Sequence, residues 1–366
     1  MSSRMNLMIS ASVATLVAST ASAQTMEDLV AAATEEGMLT TIALPHDWCG
    51  YGAVIDGFKA KYPGIKVNEL NPDAGSADEL EAIRANKDNT GPQAPDVIDV
   101  GFAFGPAAKE EGLLQPYKVS TWDTIPETVK DPDGFWYGDY YGVLSFAVNR
   151  DIIDELPLDW SDLLKPEYAA SVALAGDPRA SNQAILGVMA AGISEGGAPG
   201  DASGTAGLDF FAKLNAAGNF VPVIGKTGTL AQGATPIVIE WDYNALAGRD
   251  TLNGNPPVAV VVPASGVVAG VYVQAISAYA PHPNAAKLWM EYLYSDEGQT
   301  LWLQGYCHPI RFNDMAERDV IPQELLDALP PAAAYANAYF PTLEEQSASK
   351  DVVTGGWDSV VGASVQ

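Results

Sequence analysis

The chain has 366 residues, 48% of them hydrophobic, with 19 Lys and Arg against 46 Asp and Glu, a formal charge of −27. A field of that sign repels nucleic acid and anionic lipid, so neither is an expected partner. The length exceeds what one core usually serves, and after the first residues no apolar run is long enough to cross a bilayer, so two α/β lobes are expected.

Residues 1–23 begin with Arg4, contain no acid, carry an apolar stretch from Leu7 to Val17 and end in Ala21-Ser22-Ala23. This is the pattern of a secretory signal peptide cut after Ala23, with no cysteine at the cut to take a lipid anchor. Next, Met38 to Leu44 is an expected strand, Tyr51 to Tyr62 a helix, and Lys66 to Leu70 a strand. Ala77 to Lys87 is a helix opened by Ser76, and Asp96 to Phe102 a third strand. A βαβαβ start argues for mixed, mostly parallel sheets covered on both faces.

The run FWYGDYYGVLSFAV, 135–148, is too long and too aromatic for another short strand and is expected to cross between lobes. The pattern then restarts with a strand at Ser171 to Leu174 and a helix at Ser181 to Ile193. The glycine-rich SEGGAPGDASGTAG, 194–207, is expected as a loop before a helix at Leu208 to Leu214. Strands follow at Pro236 to Trp241 and Val258 to Val262, and Val267 to Ala278 is expected as a second crossing. No internal repeat or low-complexity tract interrupts this order.

The signatures of catalysis and metal binding are mostly missing. The GKT at 225–227 lacks the glycine that a phosphate-binding loop needs five residues earlier, where Phe220 stands. There is no G-x-S-x-G, H-E-x-x-H or C-x-x-C, and only His46, His282 and His308 are available as imidazole ligands. The DPDG at 131–134 is a turn rather than half a calcium loop. No cofactor and no metal are expected. Cys49 and Cys307, in an exported chain, are expected to pair, worth up to about 5 kcal/mol in the chain-entropy model. A reactive thiol beside His308 is the alternative, and it would make the protein a secreted Cys/His hydrolase.

In open α/β sheets ligands bind beyond the carboxyl ends of strands. That rule selects Asp47 and Trp48 after the first strand, Phe102 after the third, and Arg179, Ser181 and Asn182 after Leu174. It also selects Trp241 and Asp242 in the stretch EWDY, 240–243. Tyr141 and Tyr272 join the candidates from the two crossings. Strand alternation puts Glu240 and Asp242 on one face and Trp241 and Tyr243 on the other, so both pairs cannot line a cleft unless the strand ends first.

The helix HPNAAKLWMEYLYSDEGQTLWLQGY, 282–306, together with GDPRAS, 176–181, and IEWDYNALA, 239–247, resembles the periplasmic solute-binding proteins of ABC importers. The branch resembled contains ferric-iron, polyamine and phosphonate binders. The resemblance covers nearly the whole chain after the signal peptide and implies a type II-like two-lobed fold joined by hinge strands. It implies a first lobe of 24–145 with 266–318, a second of 146–265 with 319–366, and a monomer in the periplasm that holds a small-molecule solute between the lobes and docks on the ABC permease. It also implies that the late helix returns to the first lobe, bringing Cys307 to Cys49.

The ferric-iron members use an adjacent tyrosine pair in the second lobe, whereas Tyr140-Tyr141 here falls on the first crossing. Asp47 and Asp242 beside tryptophans suit an ammonium group, and Arg179 with Ser181 and Asn182 at a helix start suits an anion. A zwitterion is the solute expected from that combination. A polyamine takes its place if Arg179 points away and Glu240 points in.

Overall fold

The computed structural model describes residues 25–329, 332–335 and 337–366, so the expected signal peptide lies outside the described residues. Ten strands are described: β1 Met38–Ile42, β2 Lys66–Leu70, β3 Val97–Gly101, β4 Leu114–Gln115, β5 Tyr137–Asn149, β6 Val172–Leu174, β7 Ile237–Trp241, β8 Val258–Val261, β9 Ala269–Ser277 and β10 His308–Pro309. β1 and β2 pair in parallel, and a larger sheet runs β3-β9-β5-β7-β6.

β5 is the long crossing that the aromatic run predicts. From Tyr137 to Val143 it pairs antiparallel with β9, and from Leu144 to Val148 with β7. The sheet is mixed, but parallel pairing is confined among the described strands to β1 with β2 and β6 with β7, less than the sequence suggests. The reason is topological. A chain that leaves the first sheet along β5 and later re-enters it along β9 lays the two side by side in opposite directions. β9 itself stays in the first sheet, paired with β3 and β5, so the return crossing is the segment just before it.

Gly142 and Gly270 face each other in the β5–β9 pair where the strands leave the first sheet. A Cβ on Gly270 would stand 2.1 Å from the Trp241 ring, and one on Gly142 would stand 2.4 Å from the Tyr243 ring. Those two rings stack at 6.4 Å and cover the glycine pair. Glycine is therefore required here by close approach.

The stretch expected as a loop at 194–207 is half helix, because Asp201–Ala216 is continuous. Its glycines are contacts rather than breaks. A Cβ on Gly207 would lie 2.0 Å from the Val188 carbonyl oxygen, and one on Gly192 would lie 1.8 Å from that of Ser203. Backbone-close packing of this helix on Asn182–Ser194 outweighs the low helix propensity of glycine. The last helix, Leu343–Val360, seals the same layer through Trp357 against Phe211 and Phe220.

The late helix Pro283–Leu293 docks on the helix Met26–Glu36, where the Glu36 carboxylate accepts the backbone N–H of Asn284 and of Ala285. The chain that follows carries Cys307 to Cys49. The two form a disulfide with Cα atoms 5.5 Å apart across 258 residues of sequence, and both half-cystines are buried.

Two outcomes follow from this packing. Gly270→Ala should lower the stability of the folded protein by about 1–3 kcal/mol, read as a lower denaturant midpoint, because the buried Trp241 ring has nowhere to go. Replacing both cysteines with serine should cost about 2–5 kcal/mol, and peptide mapping of the unreduced protein should recover the Cys49–Cys307 pair.

Candidate functional site

Between the two sheet regions lies a cleft made of two adjoining chambers. The inner one, about 210 Å³, is lined by Trp48, Ser76, Glu79, Asp99 and Tyr272 on one side and by Ser181, Asn182 and Gln183 on the other. The outer one, about 540 Å³, is lined by Asp47, Trp48 and Asp73 facing Gln183, Lys226, Glu240 and Asn244. Trp48 and Gln183 line both. The helices Ser76–Ala85 and Asn182–Ser194 start at the inner chamber from opposite sides.

The aromatic wall is built on buried acid. Trp48 Nε1 donates to the Tyr140 hydroxyl at 2.8 Å, and Tyr140 donates in turn to Asp99 Oδ2 at 2.8 Å. Tyr51 donates to the same oxygen at 2.7 Å and accepts from Gln274 Nε2, which also reaches Asp139. Burial drives the Asp99, Asp139 and Glu79 carboxyls upward from their ordinary range. Removing water from a carboxylate penalises its charged form, and acids this close oppose each other's ionisation. The Tyr272 ring stacks on Tyr140 and meets Trp48 edge-on, so Trp48 is held by a hydrogen bond and by ring contacts together.

The alternation in EWDY is resolved by an early strand end. β7 stops at Trp241 and Asp242 opens the helix Asp242–Leu252, so the two acids part. Asp242 turns to the hinge, where it accepts the Val143 N–H at 3.0 Å and the Tyr335 hydroxyl at 2.6 Å. Glu240 faces the outer chamber. It is 6% exposed, its carboxylate accepts no hydrogen bond from a described residue, and burial alone pushes it up to about 8.

The cleft therefore gathers Asp47, Trp48, Ser181, Asn182 and Tyr272 from the expected residues. The other five lie elsewhere, each for a visible reason. Arg179 is folded back on Asp177 at 2.8 Å and reaches Asp358 and the Val365 carbonyl, because Asp177, two residues earlier, competes locally for the guanidinium. Phe102 packs edge-on to Trp136, and Tyr141 stacks on His308 away from the chambers. Trp241 covers Gly270, and Asp242 is spent on the hinge. Sequence reasoning passed over Glu79, Asp99 and Gln183. Asp99 did carry a signal, since an acid in the middle of the apolar strand VIDVG needs a buried partner or a ligand.

Residues 93–334 match the family model described as bacterial extracellular solute-binding protein. The chain is 31% identical over 277 residues to an uncharacterized protein of Haemophilus influenzae, covering 71% of this chain and 74% of that one. It is 29% identical over 126 residues to iron uptake protein A1 of Synechocystis, 34% of each chain. In fold it resembles the periplasmic binding protein AfuA of Actinobacillus pleuropneumoniae, solved with fructose-6-phosphate, at a TM-score of 0.65 and 20% identity over 88% of this chain and 98% of that one. A cleft between two sheet regions, walled by aromatic rings and closed behind by a glycine hinge, is thus found in a chain that belongs to the bacterial extracellular solute-binding proteins.

Proposed function

We propose that this protein is the exported receptor of an ABC importer and that it captures a solute bearing at least one ammonium group. The observation that carries this reading is Glu240, a buried carboxylate lining the outer chamber with no hydrogen-bond partner among the described residues. Such a group is costly to bury alone, and a ligand cation supplies what it lacks. Asp47 and Asp73 line the same chamber against the lone cation Lys226 among its described lining residues, and Trp48 offers a ring face to a cation. With Arg179 turned to Asp177, the anionic half of a zwitterion loses its strongest expected partner. An amine with one or more ammonium groups fits these walls better.

The expected lobes, 24–145 with 266–318 and 146–265 with 319–366, are supported by the change of partner along β5 at Val143 and Leu144. Closure about the hinge strands buries the solute, and differential affinity for the closed form drives it. The closed monomer then docks on the permease. Capture without catalysis is supported by the pairing of Cys307, which removes the nucleophile that a Cys/His hydrolase would use. A ferric-ion reading has less support, because the Tyr140 hydroxyl is already engaged by Trp48 and Asp99.

Native mass spectrometry of freshly purified protein, followed by a thermal-shift screen of amines, amino acids and sugar phosphates, tests the class. Amines should raise the melting temperature, and a response confined to sugar phosphates would overturn the reading. Glu240→Gln should weaken amine binding by about 10- to 100-fold, the size of one lost charge-assisted hydrogen bond.

The pH dependence has a definite sign. Glu240 must ionise to grip a cation, so affinity should rise from pH 6 to about 8 and level off, with proton release on binding near neutrality seen by calorimetry in two buffers. In the ligand-free protein the raised carboxyl favours folding below its unfolded value of 4.5, and that contribution fades as pH rises through about 8. Glu240→Gln should therefore be more stable than wild type at pH 9 and indistinguishable from it near pH 4. Arg179→Glu should bind the native solute as tightly as wild type, and a large loss would restore the zwitterion.

A further inference from the structure

The peptide group that follows the Glu240 side chain is held at both its carbonyl and its N–H by other side chains. Ser145, its cross-strand neighbour on β5, donates to the Glu240 carbonyl oxygen at 3.1 Å. The next N–H, that of Trp241, donates to Gln183 Oε1 at 2.8 Å, and Gln183 Nε2 donates to the Ala175 carbonyl oxygen at 2.9 Å. The parallel ladder of β6 and β7 has its last direct bond one step earlier, from the Ala175 N–H to the Ile239 carbonyl oxygen at 3.1 Å. In an unbroken ladder the Ala175 carbonyl would take the Trp241 N–H itself, since in a parallel pair every second residue of a strand bonds two residues of its neighbour. The Gln183 carboxamide stands inside that bond.

We propose that Gln183 is the positioning residue for Glu240, a wedge that holds the end of β7 off β6 and so aims the carboxylate into the outer chamber. The chemistry suits glutamine in particular. A carboxamide donates at one end and accepts at the other, which is what a carbonyl on one strand and an N–H on the other require. A glutamate could not donate to Ala175 once ionised, and an apolar side chain would let the strands close or leave both groups unpaired. Gln183 is 6% exposed and comes from the first turn of the helix Asn182–Ser194, which gives the wedge a rigid support. Besides Glu240, the titratable groups lining the outer chamber are Asp47, Asp73 and Lys226, and none of them hydrogen-bonds the wedge.

The reading of Glu240 as an ammonium grip gives this placement its consequence for recognition, yet the placement can be tested without any ligand. The test is a pH titration of glutamate side-chain carboxyls by NMR in ligand-free protein, with Glu240→Gln used to assign the resonance. Wild-type Glu240 should titrate far above an ordinary glutamate. In Gln183→Met, shown to be folded by circular dichroism, the midpoint should fall by about one unit or more as the carboxylate swings toward water. Ser145→Ala, which releases the carbonyl of the same peptide group, should shift it in the same direction and decides the matter if Gln183→Met does not fold. An unchanged midpoint in a folded Gln183→Met, or in Ser145→Ala where that is the deciding variant, overturns the proposal. Failure of the ammonium reading has a different signature: Glu240→Gln would keep full affinity for a probe such as 1,4-diaminobutane while the titrations stay as described.

Discussion

Because β5 pairs with β9 as far as Val143 and with β7 from Leu144, the backbone hydrogen bonds of one strand join two separately packed sheets. Each residue has a single N–H and a single carbonyl to give, so little freedom is left in the crossing itself. Bending is possible only where no side chain blocks it, and the Gly142–Gly270 pair sits there. The rings of Trp241 and Tyr243 lie over that pair, which ties the stretch EWDY to the hinge and the cleft at once. One short segment thereby supplies both the cover of the hinge and the carboxylate of the outer chamber.

Buried acids in this protein fall into two kinds. Asp242 and Asp99 accept hydrogen bonds from backbone or tyrosine donors, and removing either would strand those donors. The burial of Asp242 is compensated within the chain and its role is architectural, whereas Asp99 keeps one carboxylate oxygen, Oδ1, without a partner among the described residues. Glu240 has no such compensation among the described residues. A surface already far from neutral makes a further buried negative charge harder to sustain, which fits a residue whose partner arrives from outside.

Much of the architecture was legible because it rests on periodicity. The strands at 38–42, 66–70 and 97–101, the long crossing, and the pairing of the two cysteines all appear where local pattern or compartment predicts them. The helix at 201–216 was not legible, since Gly204 and Gly207 look like breakers until the neighbouring helix backbone is seen against them. Of the expected residues half line the cleft, Trp48 and Asn182 among them. Arg179 misled because position in the chain says nothing of which acid takes a guanidinium first, and Asp177 was nearest. Glu240 and Asp242 could be separated only by knowing that the strand stops between them.

The Cys49–Cys307 bond turns most of the chain into a covalent ring. β6, β7, β8 and every loop that joins them lie inside that ring, while the helix Leu343–Val360 lies outside it. A protease that cuts once at the exposed Glu195–Gly196 turn leaves two pieces still fastened to each other, migrating as one species until a reductant is added. A cut beyond residue 307 instead frees the last helix outright from all covalent hold. The receptor is thus armoured against nicking over most of its length, with its weak seams in the two segments outside the ring, before Cys49 and after Cys307.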